Sequence, residues 1–318
     1  MIKTAQLATG RAGVLAFEGG YHGLTLGSLA ATSRELFRRP FEGRLYPGVS
    51  FVPFPDARLQ GPGAAEACLR RIGEVLAEGA PGGTPIGAVL VEPIQGRAGV
   101  RMPPPGFMSA LSTLAAEAGT LVVADEVLTG MGRCGPMLAS ELVGLRPDIV
   151  CLGKALGSGM PVSACFADSA VMAAWPGSGG EAIHTSTFLG HPLSCAAALA
   201  ALKAVGPEER AAAATTRGAL LLRMLRERLA DAPGVGEVRG AGLLLGIELT
   251  EHDGVTPAEG AAVRVATAAL ARGVIVLPAG EHGQVVELAP PLVLTDAQIN
   301  CAVEVLVEAV TQAVPVRP

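Results

Sequence analysis

A lysine and an aspartate end two successive apolar runs of this 318-residue chain. Lys154 closes Asp148-Ile-Val-Cys-Leu-Gly-Lys154 and opens into glycines, and Asp125 closes Leu121-Val-Val-Ala-Asp125 some 29 residues earlier. At the ends of neighbouring buried strands these two residue types suit one chemistry well. The lysine can form a Schiff base with pyridoxal phosphate. The aspartate can hold the pyridine nitrogen protonated, so that the ring works as an electron sink. Taken singly, each has a commoner explanation, a helix-capping aspartate and a surface lysine.

The flanking sequence bears on how those residues are placed. Val14–Phe17, Val49–Val52, Ile86–Val91, Thr120–Ala124, Asp148–Leu152 and Val162–Phe166 read as strands, with helices over Ala64–Ala77 and Gly106–Ala118. The strands are nearly continuous runs of Val, Ile, Leu and Ala. That predicts a mainly parallel sheet covered on both faces, an α/β domain. Ligands in such domains bind at the carboxyl ends of the strands. Pro192–Val205 reads as an alanine-rich helix and Arg210–Leu229 as an amphipathic one. Strands and turns over Val235–Glu248 and Val274–Pro291, with a helix over Ala261–Arg272, predict a smaller α+β domain. The expected boundary lies between residues 1–204 and 205–318.

Composition narrows the partners. Half the residues are hydrophobic and the net charge is −5 with signs well mixed, so no basic surface for nucleic acid is expected. The six cysteines include no Cys-x-x-Cys pair, which fits a reducing, cytoplasmic setting. The five histidines lack metal-ligand spacing, and no long apolar span suggests a membrane segment.

Five segments occur in order: Gly20-Tyr21-His22-Gly23, Val91-Glu92-Pro93-Ile94-Gln95-Gly96, Ala124-Asp125-Glu126-Val127, Gly153-Lys154-Ala155-Leu156 and His184-Thr185-Ser186-Thr187-Phe188. With them the chain resembles the class III pyridoxal-phosphate aminotransferases, the ornithine, acetylornithine and 4-aminobutyrate aminotransferase group. The resemblance extends to Pro290-Pro291-Leu292. It implies the fold-type-I architecture and pyridoxal phosphate as cofactor. It further implies a homodimer with shared active sites, acting on a small amino donor and a 2-oxo acid acceptor. The implied catalytic pair is Lys154, carrying the cofactor and moving the substrate's proton, and Asp125 on the ring nitrogen. The amine must be neutral to attack, and burial beside the cofactor is the expected means. Tyr21 and Val127 match the residues that sandwich the ring. Thr187 matches the threonine that binds the cofactor phosphate of the neighbouring subunit, with Ser186 a possible helper. His22, Glu92, Gln95, Glu126 and Arg133 are expected to hold loops and structure.

Three departures accompany the resemblance. Family members carry an earlier segment with a phosphate-cradling turn at a helix start. Met1–Arg11 reads as beginning inside the helix after that turn, so weak cofactor binding is expected of these 318 residues. Leu128 stands where many relatives have a glutamine that donates to the cofactor's phenolic oxygen. Arg97 and Glu287 stand where amino-acid-specific relatives have a glutamate and a carboxylate-gripping arginine. These two residues are the expected substrate-binding pair and are expected to face each other as a reversed ion pair. The function expected is transfer of an amino group from an amine or ω-amino acid to a 2-oxo acid. A racemase, epimerase or aminomutase on the same scaffold and a non-catalytic remnant are the alternatives.

Overall fold

The computed structural model describes residues 1–177, 179–206 and 208–313. The first sheet is built from β1 (Gly13–Phe17), β2 (Val49–Val52), β3 (Ile86–Val91), β4 (Leu121–Asp125), β5 (Ile149–Leu152) and β6 (Ala164–Ala167). Its order is β2-β1-β3-β4-β5-β6, parallel throughout except for β6, which runs antiparallel to β5. The expected mainly parallel sheet is present, with strand limits displaced by at most two residues. The largest shift is at β6, where Val162 and Ser163 stay outside the strand.

Both faces of this sheet are covered, as the unbroken apolar runs require. Leu15, Phe17, Val89 and Val91 point to one side, where they pack with Ile72, Val75, Met108 and Leu111 of the helices Ala64–Glu78 and Phe107–Glu117. Val14, Ala16, Ala88 and Leu90 point to the other, against Ala5 of the helix Ile2–Thr9. The alternation follows from the two-residue period of a strand.

The second sheet is wholly antiparallel, ordered β7-β8-β10-β9 from β7 (Val235–Ala241), β8 (Leu244–Leu249), β9 (Leu277–Ala279) and β10 (Val285–Leu288). Leu245, Ile247, Leu249, Val286 and Leu288 form its apolar face, packed on the helices Glu208–Leu229, Ala261–Leu270 and Asp296–Ala313. Leu221, Leu225 and Leu229 recur every four residues along the first of these helices, so one stripe of it is buried. The opposite face is buried as well and carries the sheet's charged groups: Arg239, Glu248 and Glu287 lie there beside Leu244 and Val285.

The chain clusters into two compact units. The first comprises Met1–Pro93, Pro103–Met131 and Ser140–Pro207, and the second Ile94–Met102, Gly132–Ala139 and Glu208–Pro318. Two short segments from the first half of the chain thus pack with the C-terminal sheet.

Candidate active site

In the first unit the parallel register decides which side chains meet. Asp125 is opposite Cys151 and Ala124 opposite Val91, so Asp125 ends its strand between the segments carrying Glu92 and Lys154. Asp125 is buried. Its Oδ1 accepts the Val127 N–H at 3.1 Å, a tight turn that stops the strand. Its Oδ2 lies 2.8 Å from His22 Nδ1. The His22 ring is 1% exposed, and its Nε2 is buried with no hydrogen-bond partner among the described residues. Burial lowers the affinity of this ring for a proton. The bond to Asp125, its charge and that of Glu92 more than offset it, so the pKa is raised above the ordinary 6.5.

The loop that carries Tyr21 and His22 is fixed by its own backbone. Tyr21 N–H donates to Glu92 Oε1 at 3.0 Å and His22 N–H to Thr32 Oγ1 at 2.9 Å. Gly19 N–H donates to Ser33 Oγ. Gly20 has no room for a side chain: a Cβ there would lie 2.8 Å from the Phe17 carbonyl oxygen and 3.1 Å from His22 Nε2. The Tyr21 ring is half-buried, edge-on to Phe37 at 5.9 Å.

Lys154 follows β5 at a backbone φ of 43°, a left-handed conformation that costs a lysine about 1–2 kcal/mol. It is exposed, so the expected burial of the amine is not supplied by the residues of this chain alone. Gly153, just before it, abuts Val127: a Cβ at Gly153 would sit 3.2 Å from Val127 Cγ1. Val127, Asp125, His22 and the backbone of Lys154 therefore share one end of the sheet. An open hollow of about 360 Å³ is lined by Pro161, Val162, Ser163, Ser186 and Phe188 among others. Ser163 also faces Gly153, with its Cβ 3.9 Å from where a Gly153 Cβ would be. Thr187, next to Ser186, lies in an exposed stretch over 181–190.

Glu126 illustrates the other outcome for an acid at this end. Although adjacent to Asp125, it accepts bonds from Thr129 Oγ1 and from the Ser140 N–H and hydroxyl, the last two at 2.7 Å. It anchors a turn. Leu128 is half-buried.

In the second unit, Arg97 Nη1 stands 4.0 Å from Glu287 Oε2 and donates to the Pro278 carbonyl at 3.1 Å. The two charges approach each other, but 4.0 Å is too long for a hydrogen bond. Glu287 is buried and Arg97 is about one-third exposed. Arg133 ties the Leu243 and Pro290 carbonyls together. Burial lowers its pKa, and the Glu287 carboxylate is among the charges that oppose the shift.

The residue that sequence reasoning undervalued is His22. Its signal was its place in a glycine-flanked turn, but its partner is 103 residues away. Nothing local predicts that bond.

The donor set suits the implied cofactor. Each oxygen of Asp125 accepts one described bond, and a carboxylate oxygen can accept two, so acceptor capacity remains for a ring N–H. An aliphatic side chain, an amine at the end of the adjacent strand and a hydroxyl-rich hollow complete the set. A group with a basic ring nitrogen, an aldehyde and a phosphate fits these residues.

The model of the family described as aminotransferase class III matches residues 1–310. An acetylornithine aminotransferase from Methanosarcina mazei is 36% identical over 308 residues, covering 97% of this chain and 69% of that protein. The corresponding enzyme from Methanopyrus kandleri is 43% identical over 253 residues, covering 79% and 58%. Among solved structures, an amine transaminase from an uncultivated Pseudomonas species in its pyridoxal-phosphate-bound form superposes with a TM-score of 0.89 at 32% identity, covering 98% of this chain and 73% of that one. Parts of these relatives have no counterpart in the 318 residues. The sheet, the ordered motifs and these matches agree, and the chain belongs to the class III aminotransferase family, whose members transfer amino groups with pyridoxal phosphate as cofactor.

Proposed function

We propose that this protein moves an amino group from an amine or ω-amino acid to a 2-oxo acid, with Lys154 and Asp125 as its catalytic residues. The observation that carries the proposal is the sheet end where Asp125, held by His22, stands one strand away from Lys154. The relatives supply both donor classes, an acetylated ω-amino acid by the name of one and an amine by the name of another.

Bound pyridoxal phosphate supplies a carbonyl carbon for imine exchange and a ring that delocalises the electron pair left by a departing proton. Lys154 Nζ is the residue that would hold it covalently and then move the substrate's proton. Asp125 would accept a hydrogen bond from the ring nitrogen, and His22 keeps that carboxylate oriented from behind. Val127 and Tyr21 would flank the ring.

The finer partners belong to the same proposal. Thr187 would donate its hydroxyl to the phosphate held by a second copy of the chain. The apolar side chains of Phe188, Leu189, Leu193, Leu199 and Leu202 are exposed, which supports a homodimer packed through this region. Arg97 and Glu287 would select the donor, with Glu287 favouring a substrate end that carries an amine or hydroxyl rather than a carboxylate. Among the described residues no helix is long and apolar enough to cross a membrane. With the free cysteines this supports a cytoplasmic setting.

The test supplies amines and ω-amino acids together with a 2-oxo acid and measures the new amino acid. Formation of that product is expected. Inversion of an enantiopure donor without any 2-oxo acid would assign a racemase or epimerase, and migration of its amino group an aminomutase. Cofactor uptake with no turnover of any donor would assign a non-catalytic role.

A further inference from the structure

The charge-bearing face of the second sheet buries one arginine that the reaction does not use. Arg239, in β7, is 7% exposed. Its Nε donates to the Gly99 carbonyl at 3.2 Å and to the Val100 carbonyl at 3.0 Å, and its Nη2 to Gly99 at 2.7 Å. Its Nη1 reaches Glu237 at 2.9 Å and Glu248. All three guanidinium nitrogens are engaged. A single ammonium could not cover carbonyls and carboxylates at once.

What the fork holds is the main chain of the loop Ile94–Met102. That loop closes on itself. Gln95 and Arg101 exchange backbone bonds of 3.1 and 2.9 Å, and the Gly99 and Val100 N–H groups both donate to the Gly96 carbonyl at 2.9 Å. Its apex is strained: Val100, a β-branched residue, has φ 52°. Gly99 has φ 111°, and a Cβ there would lie 2.6 Å from Val285 Cγ2. The loop therefore needs an outside hold at its apex, and Arg239 supplies it. Earlier in the loop, the Arg97 carbonyl accepts the Gly280 N–H at 3.0 Å and Arg97 Nη1 faces Pro278 and Glu287. The grip on Gly99 and Val100 thus fixes where Arg97 stands. Stability alone does not call for this residue, because buried ion pairs are often replaceable by apolar side chains of similar volume. Two carbonyls held from across a sheet do call for N–H donors.

We infer that Arg239 is a positioning residue for donor selection: it locks the loop Ile94–Met102 so that Arg97 faces Glu287, without itself touching substrate. The inference rests on the assignment of Arg97 and Glu287 to donor selection.

The test is Arg239→Lys in the full chain with cofactor bound, followed by hydrogen exchange and kinetics. The amides of Gln95, Gly99, Val100 and Arg101 should exchange about tenfold faster or more, while those of Val238 and Ile247, paired across β7 and β8, stay within about twofold. KM for the donor should rise about tenfold with kcat within about threefold. In an Arg97→Ala background, Arg239→Lys should change KM by less than about twofold, since the residue it positions is gone. Glu237→Gln, at a half-exposed position where folding is not at stake, should speed exchange of the same four amides about threefold. Unchanged loop exchange in both variants, or equal loss across β7 and β8, would overturn the grip. Additive KM effects in the double variant would overturn the positioning of Arg97. Unchanged KM in Arg97→Ala alone would overturn donor selection, and the exchange measurements would still decide the grip.

Discussion

His22 meets Asp125 at 2.8 Å at the carboxyl end of the six-stranded sheet, and Arg239 of the edge strand β7 meets Glu248 of β8 on a buried face of the four-stranded sheet. Both are buried pairs of a base and an acid. At Arg239 every guanidinium nitrogen is engaged, and the pair also holds two backbone carbonyls. At His22 one ring nitrogen is buried with no partner among the described residues, the two Asp125 oxygens take one described bond each, and the nearby lysine is exposed on a left-handed backbone. The first arrangement is complete without a ligand. The second has bonding capacity to spare, and spare capacity at a strand end is what a cofactor site requires.

The largest effect that would sharpen this contrast is at Lys154. Lys154→Ala should lower amino transfer by about 10³-fold or more, as loss of a group that moves a proton does. Stability should stay within about 0.5 kcal/mol, because the side chain is exposed. Steady-state rates and urea unfolding check both halves. At Arg239 the balance should reverse. Arg239→Met should cost about 3–5 kcal/mol of stability by removing the counter-charge of the buried Glu248 and the donors to the Gly99 and Val100 carbonyls, and adding Glu248→Leu should recover only the electrostatic part of it. Urea midpoints of the single and double variants decide this. If the single change is neutral, the second sheet's pair is not structural and the comparison fails.

A smaller effect concerns the assembly. Mixing Lys154→Ala with Thr187→Ala subunits should restore activity, because one site of each heterodimer then has both residues. Heterodimers that form yet stay inactive would place Thr187 outside the shared site. The smallest effect is a pH slope. The folded-state pKa of His22 is raised, so its contribution to stability is full below the ordinary 6.5 and is lost as pH rises through the folded value. Melting temperature should therefore fall over that window in the wild type and less so in His22→Gln. Equal slopes would mean that the pair does not titrate as a unit.

Much of this was legible in the sequence. The strands of the first sheet could be read because unbroken apolar runs bounded by turn residues have few other solutions. Lys154 stood out because it ends an apolar run and opens into glycines. The approach of Arg97 to Glu287 was inferred from exchanged charges at two motif positions, though the main bond of Arg97 goes to a backbone carbonyl that no side-chain pattern encodes. The role of His22 and the hold of Arg239 on Gly99 depend on residues 103 and 140 positions away. Such contacts are made by topology. They leave no mark in local composition or periodicity. The Thr187 stretch is exposed, and the role proposed for it turns on a second copy of the chain.

The central claim is that Lys154 holds the cofactor. Incubation with pyridoxal phosphate, reduction with borohydride and peptide mapping tests it most directly. The account predicts a reduced pyridoxyl group on Lys154 and none on Lys3 or Lys203, the chain's other two lysines. Labelling of either of those instead, or equal labelling of all three, would contradict it.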